Sequence, residues 1–226
     1  PGESGSVSLA RAVTKIREIR AQDPQARVMV VHSGDFLAPS PSSRTLKGRD
    51  MVQALAAAGV EVAAVGNHEF DYNTSVLIQR AGESAFPFVA ANITNRAGQA
   101  LPHIPPYVVK EAGGIRIAFV GMTTSEQTMA TIAKFGDDCV VSDPTEAMAR
   151  TVADIRAHNR ADMVVALTHL YKKEDEAILN AVPGIDLALG GHEHTAFQGV
   201  VNGVPLIKVR NDLQDISVVR IQTTPA

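Results

Sequence analysis

The sequence VEVAAVGNHEFDY, residues Val60–Tyr72, joins a mostly apolar run to a cluster of polar side chains. The run Val60–Val65 is short, rich in valine and followed by a glycine, which is typical of a strand that ends in a turn. Asn67, His68 and Asp71 come directly after it. Amide, imidazole and carboxylate groups can bind a metal ion, and the last two can also carry a proton. The segment therefore predicts a strand whose carboxyl end holds functional side chains.

Three other apolar runs end in the same way, with polar residues directly after each run. The runs are Val28–Val31, Met163–Leu167 and Ile185–Leu189. The residues that follow them are His32-Ser33-Gly34-Asp35, Thr168-His169 and Gly190-Gly191-His192-Glu193-His194. The carboxyl ends of strands in an open α/β sheet converge on one crevice, where ligands bind. We therefore expect the four polar clusters to meet at a single site.

The rest of the pattern predicts a layered α/β fold. Further strands are predicted at Phe86–Ala91, Ile115–Val120, Val204–Val209 and Ile216–Ile221. Helices are predicted from the apolar stripes Leu9-Val13-Ile16-Ile19, Met51-Leu55-Ala58 and Met148-Val152-Ile155. Several runs lack polar alternation, which is typical of strands covered on both faces. We expect a single domain over residues 1–226, with a mixed sheet and helices layered on it.

The third predicted helix carries its own start signal. Asp143 can accept hydrogen bonds as its N-cap, Pro144 fits the first turn, and Glu146 completes a pattern like a capping box. This helix is therefore expected to begin at Pro144.

The composition of the 226 residues narrows the classes of function. A net charge of −3 offers no basic footprint for nucleic acid and no polybasic patch for an anionic membrane. Aromatic residues make up only 4% of the chain, which disfavours a stacking platform for single-stranded nucleic acid. The single cysteine, Cys139, excludes an intrachain disulfide. No apolar run approaches the roughly 18 residues of a membrane span, so we expect neither a nucleic-acid partner nor a span.

The four clusters supply a set of metal ligands without thiolates. The candidates are Asp35, Asn67, His169, His192 and His194. Such oxygen and nitrogen donors suit Zn²⁺, Mn²⁺, Fe or Co rather than a structural cysteine-rich zinc site. Two ions roughly 3.5–4 Å apart are a common clamp for displacement at phosphorus. His32, which precedes the Gly-Asp turn, is expected at the rim of the site and not as a ligand.

These blocks resemble the signature of the calcineurin-like metallophosphoesterases. Three longer strings resemble more narrowly the N-terminal catalytic domain of the 5′-nucleotidase family, in its UshA-like branch: GNHEFDY (Gly66–Tyr72), ALTHL (Ala166–Leu170) and PGIDLALGGHEHT (Pro183–Thr195). The resemblance implies a four-layer α/β/β/α sandwich around a dinuclear metal centre. It also implies that Asp35 bridges the two ions. Asn67, His169 and His192 would complete one ion's ligands, and His194 would bind the other ion.

The same resemblance makes His68 the catalytic histidine and Asp71 its orienting partner. The residues themselves support these roles, because His68 cannot easily point at the ion that the adjacent Asn67 binds. A protonated His68 could stabilise the transferring phosphoryl group or protonate the leaving oxygen. Asp71 would hold the imidazole tautomer and favour its charged form. The implied reaction is in-line attack on phosphorus by a hydroxide that bridges the metals.

The chain departs from the family pattern in two respects. Family members open with a strand that ends in Asp-x-His, which supplies two ligands to one ion, and no such triplet occurs among the 226 residues. We expect that strand and motif to lie upstream of Pro1. UshA-like nucleotidases also carry a C-terminal nucleotide-binding domain, which this chain does not include.

The function expected from the sequence is hydrolysis of a small phosphate ester, with a nucleotide as the substrate that the resemblance implies. Hydrolysis of a cyclic phosphodiester or a nucleotide sugar at the same centre is one alternative. A non-catalytic scaffold with the same fold is another, and the intact Asn67, His68 and Asp71 argue against it. The oligomeric state stays open. Localisation also stays open: the resemblance points to the periplasm or secretion, and the chain does not decide against the cytoplasm.

Overall fold

The structure is a computed structural model that describes residues 8–124 and 139–222. Helices and strands alternate along most of the chain. The helices are α1 (Leu9–Gln22), α2 (Pro41–Leu46), α3 (Arg49–Ala58), α4 (Thr74–Glu83), α5 (Pro144–Ala157) and α6 (Lys172–Ala181). The strands are β1 (Val30–His32), β2 (Val60–Ala64), β3 (Phe88–Val89), β4 (Ile93–Asn95), β5 (Tyr107–Ala112), β6 (Ile115–Thr123), β7 (Cys139–Val141), β8 (Met163–His169), β9 (Leu187–Gly190), β10 (Phe197–Val201) and β11 (Val204–Lys208).

Two larger sheets organise the molecule. The first is parallel, in the order β1-β2-β3. The second is mixed, in the order β10-β11-β9-β8-β6-β5, with its central strands parallel and the strand at each edge antiparallel to its neighbour. Strands β4 and β7 form a separate antiparallel pair. The predicted mixed α/β fold is confirmed.

Three apolar cores separate the layers. One lies between the first sheet and helices α3 and α4, one lies between the second sheet and helices α5 and α6, and the third lies between the two sheets. Strand β8 shows how one strand serves two cores, since Val164 and Ala166 face the helices while Val165 and Leu167 face the other sheet. Both faces are buried, which explains why the run lacks polar alternation. The layers follow the order α/β/β/α.

Helix α5 begins where the sequence predicts. The Asp143 carboxylate accepts a hydrogen bond from the Glu146 backbone N–H at 2.9 Å, and Pro144 occupies the first turn. The side chain thereby satisfies one of the N–H groups that the first turn leaves without an intrahelical partner.

Replacing Asp143 with alanine is expected to lower the free energy of unfolding by about 1 kcal/mol, because that N–H loses its acceptor. Urea unfolding followed by circular dichroism measures the change. Asp143→Asn keeps an acceptor oxygen and is the control, with stability close to that of the wild type. Equal losses in both variants would contradict the capping role.

The predicted strand at Ile216–Ile221 is wrong. The backbone has no strand there, and Ile216, Val218 and Ile221 remain between 42% and 53% exposed. Apolar alternation makes a strand only where a neighbouring strand supplies hydrogen bonds, and in the described residues the adjacent sheet ends at β10.

Among the described helices, none combines the length and the hydropathy that crossing a bilayer requires.

Candidate metal centre

Four of the five predicted metal ligands lie together at the carboxyl ends of the strands. Ligand atoms of Asp35, His169 and His192 all fall within 4.8 Å of one another. The His169 Nε2 atom lies 2.9 Å from Asp35 Oδ2 and 3.1 Å from the Asn67 Oδ1 atom. Asp35 and Asn67 follow strands of the first sheet, whereas His169 and His192 come from strand ends of the second. The polar clusters therefore meet across the two sheets.

Tight turns bring these side chains close to one another. Gly34 has φ +93°, and a Cβ atom there would lie 2.7 Å from His169 Nδ1. A Cβ atom on Gly66 would lie only 2.3 Å from Asp35 Oδ1. Real Cβ atoms do not approach heavy atoms so closely, so both positions require glycine. In the Gly-Asp and Gly-Asn sequences, the glycine is therefore as necessary as the polar residue that follows it, because only glycine permits this close packing.

The orientation of His169 is set by its second nitrogen. The Nδ1 atom lies 2.7 Å from the Ser33 carbonyl oxygen, to which it donates a hydrogen bond, and the side chain is only 2% exposed. This contact leaves Nε2 facing Asp35 and Asn67. A histidine held through one nitrogen presents the other as a ligand in a fixed direction.

The electrostatics of the site favour positive charge between Asp35 and His169. Burial would raise the pKa of Asp35, but the nearby His169 imidazolium outweighs it and holds that pKa below its ordinary value. Burial opposes the charged form of His169, but the Asp35 carboxylate outweighs it and raises the pKa of His169. The site therefore favours a carboxylate at Asp35 and positive charge beside it. Because metal ligands bind in their deprotonated forms, a cation bound there would compete with a proton on His169.

His192 and His194 lie on the loop after β9. The His192 ring packs edge-on against His169, with ring centroids 4.9 Å apart, and against Tyr171, with centroids 4.4 Å apart. His194 is exposed and lies outside the group formed by Asp35, His169 and His192. Both loop histidines have positive φ, +78° for His192 and +58° for His194. Positive φ is uncommon for residues with a side chain, although histidine adopts it more often than most, and here it sets the direction of both imidazoles.

His68 and Asp71 form a pair beside these ligands. The His68 Nδ1 atom lies 3.1 Å from Asp71 Oδ2, and their side chains are 35% and 13% exposed. The His68 backbone N–H donates to Asp35 Oδ1 at 2.8 Å, which anchors the pair to a predicted ligand. The imidazole lies outside the group formed by Asp35, His169 and His192. This arrangement suits a proton-carrying group better than a ligand.

His32 precedes the turn that carries Asp35. Its Nδ1 atom accepts a hydrogen bond from the Gly34 backbone N–H at 3.2 Å, and its ring packs edge-on against Phe36. Burial, together with the positive charge of His169, lowers the pKa of His32 to about 4. The ring is therefore neutral at neutral pH and orders this turn.

Glu69 lies among the predicted site residues, but the sequence predicts no role for it. Its side chain is completely buried. Its carboxylate accepts hydrogen bonds from four backbone N–H groups at 2.6–3.0 Å, those of Gly66, Asp35, Phe36 and Leu37. Burial and the Asp35 carboxylate raise the pKa of Glu69, and the N–H donors oppose that shift. The only signal in the sequence for a role of Glu69 is its place in the GNHEF string, and that signal is weak because a glutamate in a polar segment is usually exposed to solvent.

Comparison with known proteins gives a consistent result. The model of the family described as calcineurin-like phosphoesterase matches residues 5–196. Curated relatives include a snake venom 5′-nucleotidase of Gloydius brevicauda, 29% identical over 191 residues, and a 5′-nucleotidase of Rattus norvegicus, 30% identical over 192 residues. Each match covers 83% of this chain but only 32% of the relative. The chain thus spans less than half the length of these two relatives.

Solved structures share the fold. A calcineurin-like phosphoesterase, YfkN from Bacillus subtilis, superposes with a TM-score of 0.81 at 20% identity, covering 94% of this chain and 76% of that one. A 5′-nucleotidase precursor from Thermus thermophilus gives 0.78 at 24% identity, covering 90% of this chain and 43% of that one. At these identities the superpositions show the four-layer fold alone.

Proposed function

Because the chain belongs to the calcineurin-like phosphoesterase family, we propose that it hydrolyses phosphate esters of nucleotides at a centre of two divalent metal ions. One observation carries the proposal: a carboxylate and an imidazole from different sheets lie 2.9 Å apart, with a second imidazole close by. An amide oxygen, that of Asn67, also lies 3.1 Å from the His169 imidazole, so three kinds of metal-capable donor meet there. The family depends on divalent metals, and the donors in this chain fit such ions.

The donor set supports this choice of cofactor. Oxygen and imidazole donors without thiolate suit Zn²⁺, Mn²⁺, Fe or Co. The residues that would hold the ions are Asp35, Asn67, His169, His192 and His194. Asp35 offers two carboxylate oxygens and would be shared by both ions. His194, on the exposed side of the loop, would serve the ion that His192 does not bind. When bound, the ions supply charge neutralisation at phosphorus and an acidified water.

The chain's own residues would handle the proton of the leaving group. Asp71 holds His68 through Nδ1, so Nε2 is left to face the substrate. In its charged form, His68 donates a proton from Nε2 to the ester oxygen as the bond to phosphorus breaks. The Asp35 carboxylate accepts a hydrogen bond from the His68 backbone N–H, which ties this donor to one of the residues that would hold the ions. A non-catalytic scaffold would have no use for such an acid, which argues against that alternative.

The nucleotide part of the proposal is supported by the relatives named above, which are 5′-nucleotidases. The phosphate ester part is supported by the site as well. The two parts are separated by comparing 5′-AMP with p-nitrophenyl phosphate, which offers the same monoester without a nucleoside.

Chelation tests the proposed function. We expect hydrolysis of 5′-AMP and p-nitrophenyl phosphate in the presence of Mn²⁺ or Zn²⁺. After treatment with EDTA and removal of the chelator, both rates should fall to the level of a control without protein, and added metal should restore them. Released phosphate and nitrophenolate absorbance give the rates. Activity that persists unchanged through chelation would contradict a metal-dependent mechanism.

A further inference from the structure

Lys208, the last residue of β11, has a completely buried ammonium group. Its side chain is 0% exposed, and its Nζ atom donates to the Leu170 carbonyl oxygen at 2.6 Å and to Asp175 Oδ2 at 2.8 Å. Asp175, on helix α6, is 1% exposed. A buried charge is costly unless it is paired and hydrogen-bonded, and here the ammonium has both kinds of partner.

Two of the groups near the Lys208 ammonium, those of Leu170 and Glu193, belong to the segments that carry predicted ligands. Leu170 directly follows His169 at the end of β8. Glu193 stands between His192 and His194, and its Oε1 atom lies 3.9 Å from Lys208 Nζ. The other Glu193 oxygen accepts a hydrogen bond from the Lys172 backbone N–H at 3.0 Å, at the start of α6. One ammonium group therefore faces both the segment after His169 and the loop after β9.

The ion pair also packs against the strand end from which the loop departs. Gly190 is the last residue of β9 and lies in register with Lys208 on one side and Thr168 on the other. A Cβ atom on Gly190 would lie 3.0 Å from Asp175 Oδ2 and 3.2 Å from Lys208 Cγ. The ion pair therefore lies directly beside the backbone from which the loop departs, with little room for a side chain between them.

Stability alone does not account for a charged pair at this place, because packed apolar side chains can replace a buried ion pair without loss of stability. What apolar side chains cannot do is hold the Leu170 carbonyl and attract the Glu193 carboxylate. We propose that Lys208 is a positioning residue, which holds the loop of His192 and His194 in its metal-binding geometry through Leu170 and Glu193. This inference rests on the proposed metal-dependent function.

The test separates positioning from folding. Lys208→Met alone leaves Asp175 buried and unpaired, so the informative variant is the double replacement Lys208→Met/Asp175→Leu, which removes both charges. We expect its Tm without metal to stay close to that of the wild type. Its affinity for Mn²⁺, measured by isothermal titration calorimetry, should fall about 10- to 100-fold, as when groups that orient metal ligands are removed. Raising the Mn²⁺ concentration by the same factor should restore kcat.

A second variant and a control complete the design. Glu193→Gln keeps an acceptor for the Lys172 N–H and removes only the charge that faces Lys208, so Mn²⁺ affinity should fall while Tm stays constant. Lys15→Met breaks an exposed lysine–glutamate pair on α1 and should change neither quantity. Unchanged Mn²⁺ affinity in Glu193→Gln or in a folded double variant would overturn this inference and leave the proposed function standing. A wild-type protein that binds no Mn²⁺ or Zn²⁺ would overturn the proposed function with it.

Discussion

Replacement of His68 with alanine is expected to lower kcat for hydrolysis of 5′-AMP by about 10²- to 10⁴-fold, the usual contribution of a positioned general acid. The imidazole is held by Asp71 and lies outside the group of Asp35, His169 and His192. The bound metal, counted by inductively coupled plasma mass spectrometry, should therefore stay the same. Steady-state kinetics at saturating Mn²⁺ give the change in kcat.

His158 provides a matched control for this experiment. It also faces a carboxylate, with Nδ1 3.0 Å from Asp154 Oδ1, but it is 62% exposed at the end of α5. His158→Ala should leave kcat within about twofold of the wild type, because surface changes away from a site have small effects. Loss of metal from His68→Ala would show that His68 is a ligand and that its assigned role is wrong.

Replacement of Glu69 with glutamine is expected to destabilise the fold by about 3–5 kcal/mol, because buried donors left without an acceptor carry a large cost. The carboxylate accepts four backbone N–H groups, whereas glutamine offers one acceptor oxygen and directs an NH₂ group at the remaining donors. Urea unfolding of metal-free protein measures the loss directly, and the linear extrapolation gives the free energy of unfolding.

Glu18→Gln is the control for Glu69→Gln, because it makes the same chemical change on a side chain that is 55% exposed. Its effect should stay within about 0.5 kcal/mol. A Glu69→Gln protein as stable as this control would mean that the turn at residues 34–37 does not depend on the carboxylate. The role assigned to Glu69 would then have to be abandoned.

The sequence was informative where local chemistry and periodicity agree. The strand ends at Asn67 and His169 are marked by apolar runs that stop at polar residues, and the start of α5 is marked by Asp143. Strands β5 and β10 were not predicted, and both lie at sheet edges, where Lys110, Glu111 and Gly199 interrupt the apolar pattern. An edge strand is buried less, so its sequence carries a weaker signal.

The supporting residues could not be predicted because their partners are far away in the sequence. Glu69 accepts hydrogen bonds from residues 32–34 positions earlier, and Lys208 reaches Leu170 and Asp175 across 38 and 33 positions. Nothing local distinguishes these side chains from solvated ones, and only the topology brings the partners together. All five ligand assignments stay predictions. His194 differs from the other four because its side chain lies outside the group formed by Asp35, His169 and His192.

The division of the site between two sheets has a consequence for residues that never touch it. Asp35 and Asn67 are attached to strands of the first sheet, and His169 and His192 are attached to strands of the second. The distance between these halves is set by the thickness of the apolar layer between the sheets, which includes Phe119. Substitution of a side chain in that layer with a smaller or larger one is expected to shift the two sheets relative to each other by fractions of an ångström. The affinity for metal ions would therefore depend on the spacing of the two sheets, even though the apolar layer between them contains no polar group of the site.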